Sequence, residues 1–219
     1  MKTRLHWIAA ALALAAVNVH AQGTGHWMVR AGVTNINPQV SSGDLSAPSL
    51  PGTKIDVNDA TSLSGGVTYL FDDHWAVDVP LGLPFKHNIV GDGAIAGVGK
   101  IGDVRALPVT VLGEYRFGAA AAKVRPFLGA GITYAKFYDE RSTGTLSALT
   151  GGSPTTLSVD SRFGFTLEAG VDFAVNERWS IGARVNKTFL KTKATLSTGQ
   201  TIDTKLDPMS LSLGVGYRF

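Results

Sequence analysis

Apolar residues recur at every second position through much of this chain, the period of a strand with two unlike faces. From Trp75 to Lys86 one face carries Trp75, Val77, Val79, Leu81, Leu83 and Phe85; Ala76, Asp78, Pro80, Gly82, Pro84 and Lys86 lie opposite. From Leu107 to Phe117 the apolar row is Leu107, Val109, Val111, Tyr115 and Phe117, against Pro108, Thr110, Leu112, Glu114 and Arg116. Segments 163–175 and 209–219 alternate as strictly, the second setting Met209, Leu211, Leu213, Val215, Tyr217 and Phe219 against serines, glycines and Arg218. Four weaker segments run near 26–36, 61–71, 124–138 and 179–192. The pattern predicts an all-β fold of about eight antiparallel strands, each long enough to cross a bilayer when tilted.

The connections alternate in length. Short turns fall at 71–74, 118–123 and 176–178, while long Gly/Ser/Thr/Pro-rich loops fall near 37–60, 87–102 and 139–160, with a shorter one near 193–204. Short turns on one side and long loops on the other are the habit of outer-membrane barrels. Trp27, Tyr69, Phe71, Trp75, Tyr115, Phe117, Phe173, Trp179, Tyr217 and Phe219 gather at strand ends, mostly beside the short turns, as an interfacial girdle requires. A soluble lipocalin-like barrel shares the period, but its polar face meets water. Here that face is too poor in charge to be a solvated exterior, and its small residues suit a narrow lumen.

Composition adds an address. Lys2 and Arg4, the apolar run Ile8 to Val17 and Val19-His20-Ala21 read as a secretory signal (1–21), cut after Ala21 to leave a barrel domain at 22–219. Losing Lys2 and Arg4 lowers the net charge from +3 to +1, which leaves no footprint for nucleic acid. Past residue 22 no apolar stretch approaches the roughly 20 residues of a membrane helix. Cysteine is absent although the signal implies an oxidising compartment, so a closed sheet held in lipid takes the stabilising role that disulfides have elsewhere.

With both chain ends in the periplasm, the inward charges cluster in the lower lumen: Arg30, Asp78, Glu114, Arg116, Arg125, Glu168, Asp172, Arg184 and Arg218. Unpaired charges are costly in a narrow lumen, so interleaved pairs forming a plug are expected. The upper lumen is small and apolar, lined by Pro80, Gly82, Pro84, Val104, Ala106, Pro108, Gly131, Ala135 and Phe137, and would hold an acyl chain or aromatic compound. Leu63 and Phe163, at the external strand ends, would narrow the mouth only if a bulge turned them inward, because strict alternation gives both to the lipid. Gly91 to Lys100 superficially matches a phosphate loop, but Ala94 replaces the required first glycine and Ile101 follows the lysine, so it reads as a flexible external loop. His26, His74 and His87 lie at strand ends without metal-ligand spacing, and no metal or cofactor is expected.

The ordered pieces Pro84-Phe85-Lys86-His87, Leu107-Pro108-Val109-Thr110 with Tyr115-Arg116-Phe117, Arg125 to Gly131, Ala169 to Phe173 before Trp179, and Gly216-Tyr217-Arg218-Phe219 make the chain resemble the OmpW family of outer-membrane proteins over its mature length. The resemblance implies an eight-stranded transmembrane β-barrel in a Gram-negative outer membrane, with a narrow apolar channel for small hydrophobic molecules. It also implies that the last strand, ending in Tyr217 and Phe219, is the signal read by the barrel-assembly machinery. The expected partners are outer-membrane lipid, that machinery and small hydrophobic molecules. Two other classes fit the same strands. One is a structural or docking barrel whose loops form a receptor surface. The other is a lipid-modifying enzyme in which His87, Asp92 and the serines of 141–161 assemble a Ser–His pair; no serine sits in a nucleophile motif, and the expectation is a non-enzyme.

Overall fold

The computed structural model describes residues 26–219; the expected leader falls outside the described residues. β1 (His26–Asn37) leads through β2 (Ser41–Ser42) and β3 (Thr53–Val57) to β4 (Ala60–Leu70). β5 (Trp75–Gly82) and β6 (Phe85–Gly93) form one stave broken in the middle, and β7 (Lys100–Arg116) and β8 (Val124–Ser142) are the longest strands. A short helix, α1 (Gly144–Leu149), and β9 (Leu157–Val159) follow. β10 (Arg162–Ala174), β11 (Trp179–Phe189), β12 (Lys191–Leu196), β13 (Thr201–Lys205) and β14 (Met209–Arg218) complete the chain.

Eight staves close into an antiparallel barrel in the order β1-β4-β5-β7-β8-β10-β11-β14. Closure is made by β1 and β14, paired from Met28 opposite Arg218 to Asn37 opposite Met209. Phe219 extends the seam, its N–H donating to the Trp27 carbonyl at 2.9 Å. In hydrocarbon an unpaired backbone group has no water to turn to, so a closed ring is what lets strands cross at all. Leu213, Val111, Ile132 and Phe165 face outward and exposed, as their alternation predicts.

The short turns are built by local side chains. Asp72 accepts from the N–H groups of His74 and Trp75, each at 2.7 Å. Asn176 does the same for Arg178 at 2.9 Å and Trp179 at 2.8 Å. The two turns share one arrangement, an Asp or Asn three residues before a Trp, and the carboxylate or amide oxygen satisfies donors that the reversing chain frees. Each Trp then packs edge-on against a Tyr of the next stave, Trp75 on Tyr115 at 5.0 Å and Trp179 on Tyr217 at 4.9 Å.

Strict alternation fails where β5 gives way to β6, and the register also shifts near the tops of β6–β7 and β7–β8. β5 pairs with β7 as far as Asp78 opposite Leu112, and β6 resumes at Phe85 opposite Ala106. Between these pairs the broken stave runs seven residues (78 to 85) against six (112 to 106), so one extra residue exchanges its faces. Phe85, expected toward lipid, is therefore buried in the lumen with His87 and Ile89, and Lys86 is exposed outside. The histidine expected at an interface is thus a wall residue, its Nδ1 on the Asn58 carbonyl at 2.8 Å.

The long connections are structured above the barrel. β3 pairs with β6, and β2, β13, β12 and β9 make a small second sheet. Their inner faces, with α1, enclose a core of Ile89, Ile101, Val104, Leu146 and Leu196. The expected flexible loop at 91–100 is only the tip of this extension. β6 runs on to Gly93, Gly91 N–H donates to the Gly99 carbonyl at 3.1 Å, and Gly97 (φ 87°) and Gly99 (φ 77°) supply the left-handed turn.

Candidate channel: a charged floor under an apolar lumen

All nine predicted charges of the lower lumen point inward, and six of them form ion pairs. Arg30 binds Asp78 through two hydrogen bonds, at 2.7 and 2.8 Å, and also donates to the Thr68 hydroxyl. Arg116 bridges Glu114, at 2.8 Å, and Asp172, which Arg184 also approaches at 3.4 Å. Arg125 donates to the Asp73 carbonyl at the short-turn end. Phe127, 1% exposed, lies between two guanidiniums, with Arg116 at 4.8 Å and Arg184 at 4.7 Å from its ring centre. Gly170 makes room for that ring, since a Cβ there would come within 2.7 Å of Phe127 Cε2. The carboxylates of Asp78, Glu114 and Glu168 lie within 4.8 Å of one another. Arg30 and Arg116 compensate the first two, while both Glu168 oxygens lack a hydrogen-bond partner.

A belt of hydroxyls lies between most of these charges and the apolar residues above. Thr110, Thr133, Thr166 and Thr188 link hand to hand across β7, β8, β10 and β11, at 2.8, 2.6 and 2.9 Å. On the opposite wall Thr34 joins Ser64 and Ser212, each at 2.7 Å. Alternation placed these hydroxyls inward, but nothing in one strand's sequence says that they meet at one height.

A cavity of about 180 Å³ is walled by this belt and by the residues above it. Of the predicted upper-lumen residues, Pro80, Gly82, Val104, Ala106, Pro108, Ala135 and Phe137 line it. Pro84 does not, because the extra residue in the broken stave gives its place to Phe85. Gly131 does not either; a Cβ there would come within 2.8 Å of Leu112 Cα, so it lets two staves approach closely. Leu63 and Phe163 are corrected as constriction candidates. They are 63% and 72% exposed on the outer wall, and the β1–β4 and β8–β10 registers run through them without the bulge that would turn them inward. The sequence reading missed Ile55, Val57, Phe85, His87, Ile89, Leu190 and Leu206, which complete the lining from loops and from beyond the break. Arg30, Glu168 and Arg184 form its floor.

Two features border this cavity. Upward, Ile55, Ile89 and Ala194 form a wall shared with a second apolar cavity of about 640 Å³ in the extension. Sideways, no register pair joins β5 residues 79–82 to β7 residues 107–111 among the described residues. Pro80, Pro84 and Pro108 flank this gap, and proline has no N–H to give a ladder. As for chemistry, the Ser161 and Ser147 hydroxyls accept from the N–H groups of Phe137 at 3.0 Å and Thr155 at 3.1 Å, and His87 is committed to Asn58.

Comparison with known proteins places this architecture. The model of the OmpW family matches residues 23–219. Outer membrane protein W of Vibrio cholerae is 30% identical over 223 aligned residues, covering 100% of both chains. The dibenzothiophene metabolism operon protein PahQ of Pseudomonas aeruginosa is 27% identical over 88% of each chain. The crystal structure of the outer membrane protein OprG from Pseudomonas aeruginosa matches with a TM-score of 0.79 at 28% identity, covering 89% of this chain and 96% of that one.

Proposed function

The chain belongs to the OmpW family and stands in the outer membrane as a β-barrel, and from that premise we propose that it passes small, largely apolar molecules from the cell exterior into the membrane. The carrying observation is the change of lining at the hydroxyl belt, apolar above and densely charged below. A guest shed of its water is stabilised by roughly 25 cal/mol per Å² buried, so about 200 Å² contributes on the order of 5 kcal/mol before ordering costs. The same guest gains nothing by entering the paired charges, whose separation leaves a buried ion uncompensated at a cost of about 3–5 kcal/mol. In this reading its way onward is the stretch of wall between β5 and β7, flanked by Pro80 and Pro108, where the two strands form no ladder pairs. PahQ, named for an operon of dibenzothiophene metabolism, supports an apolar guest for this relative too.

Replacing Ala106, a buried lining residue, by Trp fills the cavity without touching the floor. We expect saturable uptake of a small aromatic hydrocarbon by whole cells to fall at least tenfold, at unchanged levels of heat-modifiable barrel. Equal uptake by filled and wild-type barrels would sink the channel and leave a docking barrel in its place.

A further inference from the structure

We infer that the outer wall across β6, β7 and β8 binds the phosphate groups of lipid in the external leaflet. The outward row on β7 is Tyr115, Val111, Val109, Leu107 and then Arg105. From Tyr115 to Arg105 is ten residues, about 33 Å of strand at 3.3 Å per residue. At a tilt near 45° this projects to about 23 Å, close to the height of an apolar barrel band of about 25 Å. Tyr115 belongs to the aromatic girdle at the short-turn end, so Arg105 stands at headgroup level in the opposite leaflet.

The same height on the neighbouring staves is also basic. Lys86 is the direct partner of Arg105, and Lys136 is the direct partner of Leu107, one outward step away. Like charges placed directly opposite across a ladder repel unless something covers them. The side chains of Lys86 and Arg105 are 53% and 47% exposed, and Lys136 is exposed. Local carboxylates do not balance them. Asp103 is shared between Lys86 and Lys100, at 3.4 and 2.6 Å, and Asp139 between Arg105 and Arg141, at 3.1 and 3.2 Å. Glu140 turns away to the Val159 N–H at 3.3 Å, and Lys136 forms no ion pair among the described residues. An anion that also has acyl chains fits this place, because Leu83, Leu107 and Tyr134 lie immediately below the three cations on the outer face. A phosphorylated lipid meets both demands, and its phosphates would be held by charge-assisted hydrogen bonds.

The test is a titration of the folded barrel in neutral detergent with diphosphoryl lipid A, reading the heat-unfolding midpoint by gel mobility. Wild type should rise by several degrees, and Lys86→Gln/Arg105→Gln/Lys136→Gln should rise by less than half as much. Lys123→Gln/Arg178→Gln, at the short-turn end, should respond as wild type does. Should the triple variant not fold, Lys136→Gln alone, which loses no ion pair, should remove about a third of the rise. An undiminished rise in these variants would overturn the inference. So would an equal rise of wild type with the same lipid stripped of both phosphates, or with inorganic phosphate at matched concentration.

Discussion

At the scale of single residues the barrel wall has two sides with opposite tolerances. Leu213 is exposed to lipid in the middle of β14. Leu213→Arg should destabilise the folded barrel by about 2–4 kcal/mol, the cost of a cation near the bilayer midplane, measured by urea unfolding in lipid vesicles. Gly170 fails in the other direction. A methyl group there meets the Phe127 ring, which two arginines hold in place, and the Ala183 carbonyl at 2.8 Å. Gly170→Ala should cost about 1–3 kcal/mol by overpacking. Phe127→Leu added to it should restore part of the loss, and a double-mutant cycle without such coupling would show that the ring is not the obstacle. Tyr217 and Phe219 stack edge-on at 5.0 Å at the free end of the seam. We propose that this end is read during assembly, so Tyr217→Ser/Phe219→Ser should leave unfolded chain in the periplasm, detected by loss of heat-modifiable protein from the outer membrane.

At the scale of elements, the short turns and the broken stave carry the register. The Trp75 and His74 N–H groups hold the Asp72 carboxyl below the ordinary carboxylate range. A lowered value in the folded state means that the contribution is complete above the unfolded pKa of about 3.9 and disappears as pH falls through the folded one. Asp72→Ala should therefore lower the heat-unfolding midpoint at pH 7, and the gap to wild type should narrow as pH falls below the ordinary carboxylate range. Asp72→Asn, which copies the Asn176 turn, should sit near wild type at pH 7. The break between β5 and β6 is a different kind of element. Its single extra residue exchanges the faces of everything from Phe85 to Ile89, and its prolines keep the wall unpaired.

Over the whole molecule, the closed ring, the charged floor and the apolar extension depend on one another. Closure removes the sheet edges and lets the strands cross lipid, but it also forces nine charged side chains into one narrow space. Arg30, Arg116 and Arg184 meet carboxylates of other staves because each strand contributes at a matching height, and Arg116 also holds Glu114 of its own strand. The floor in turn makes the upper lumen a blind apolar cavity, and the loops folded over it enclose a second apolar cavity beyond. In the function proposed above, this is why passage runs from the mouth to the wall and not from end to end.

The local sequence determined whatever depends on a period of two and on turn chemistry. Strand number, the lipid face, the girdle and the inward set of charges were legible because each residue's side of the sheet follows from its neighbours within one strand. The resemblance carried by Leu107-Pro108-Val109-Thr110 and its companion stretches gave the family as well. Tertiary structure alone decided what depends on register between strands. It paired Arg30 with Asp78 and left Glu168 without a partner, levelled the threonines into a belt, and seated Phe127 between two arginines. It also turned Phe85 inward, which no alternation within Trp75 to Lys86 could reveal. The extra residue there is defined only by counting β5 and β6 against β7, and that count exists only once the three strands lie side by side.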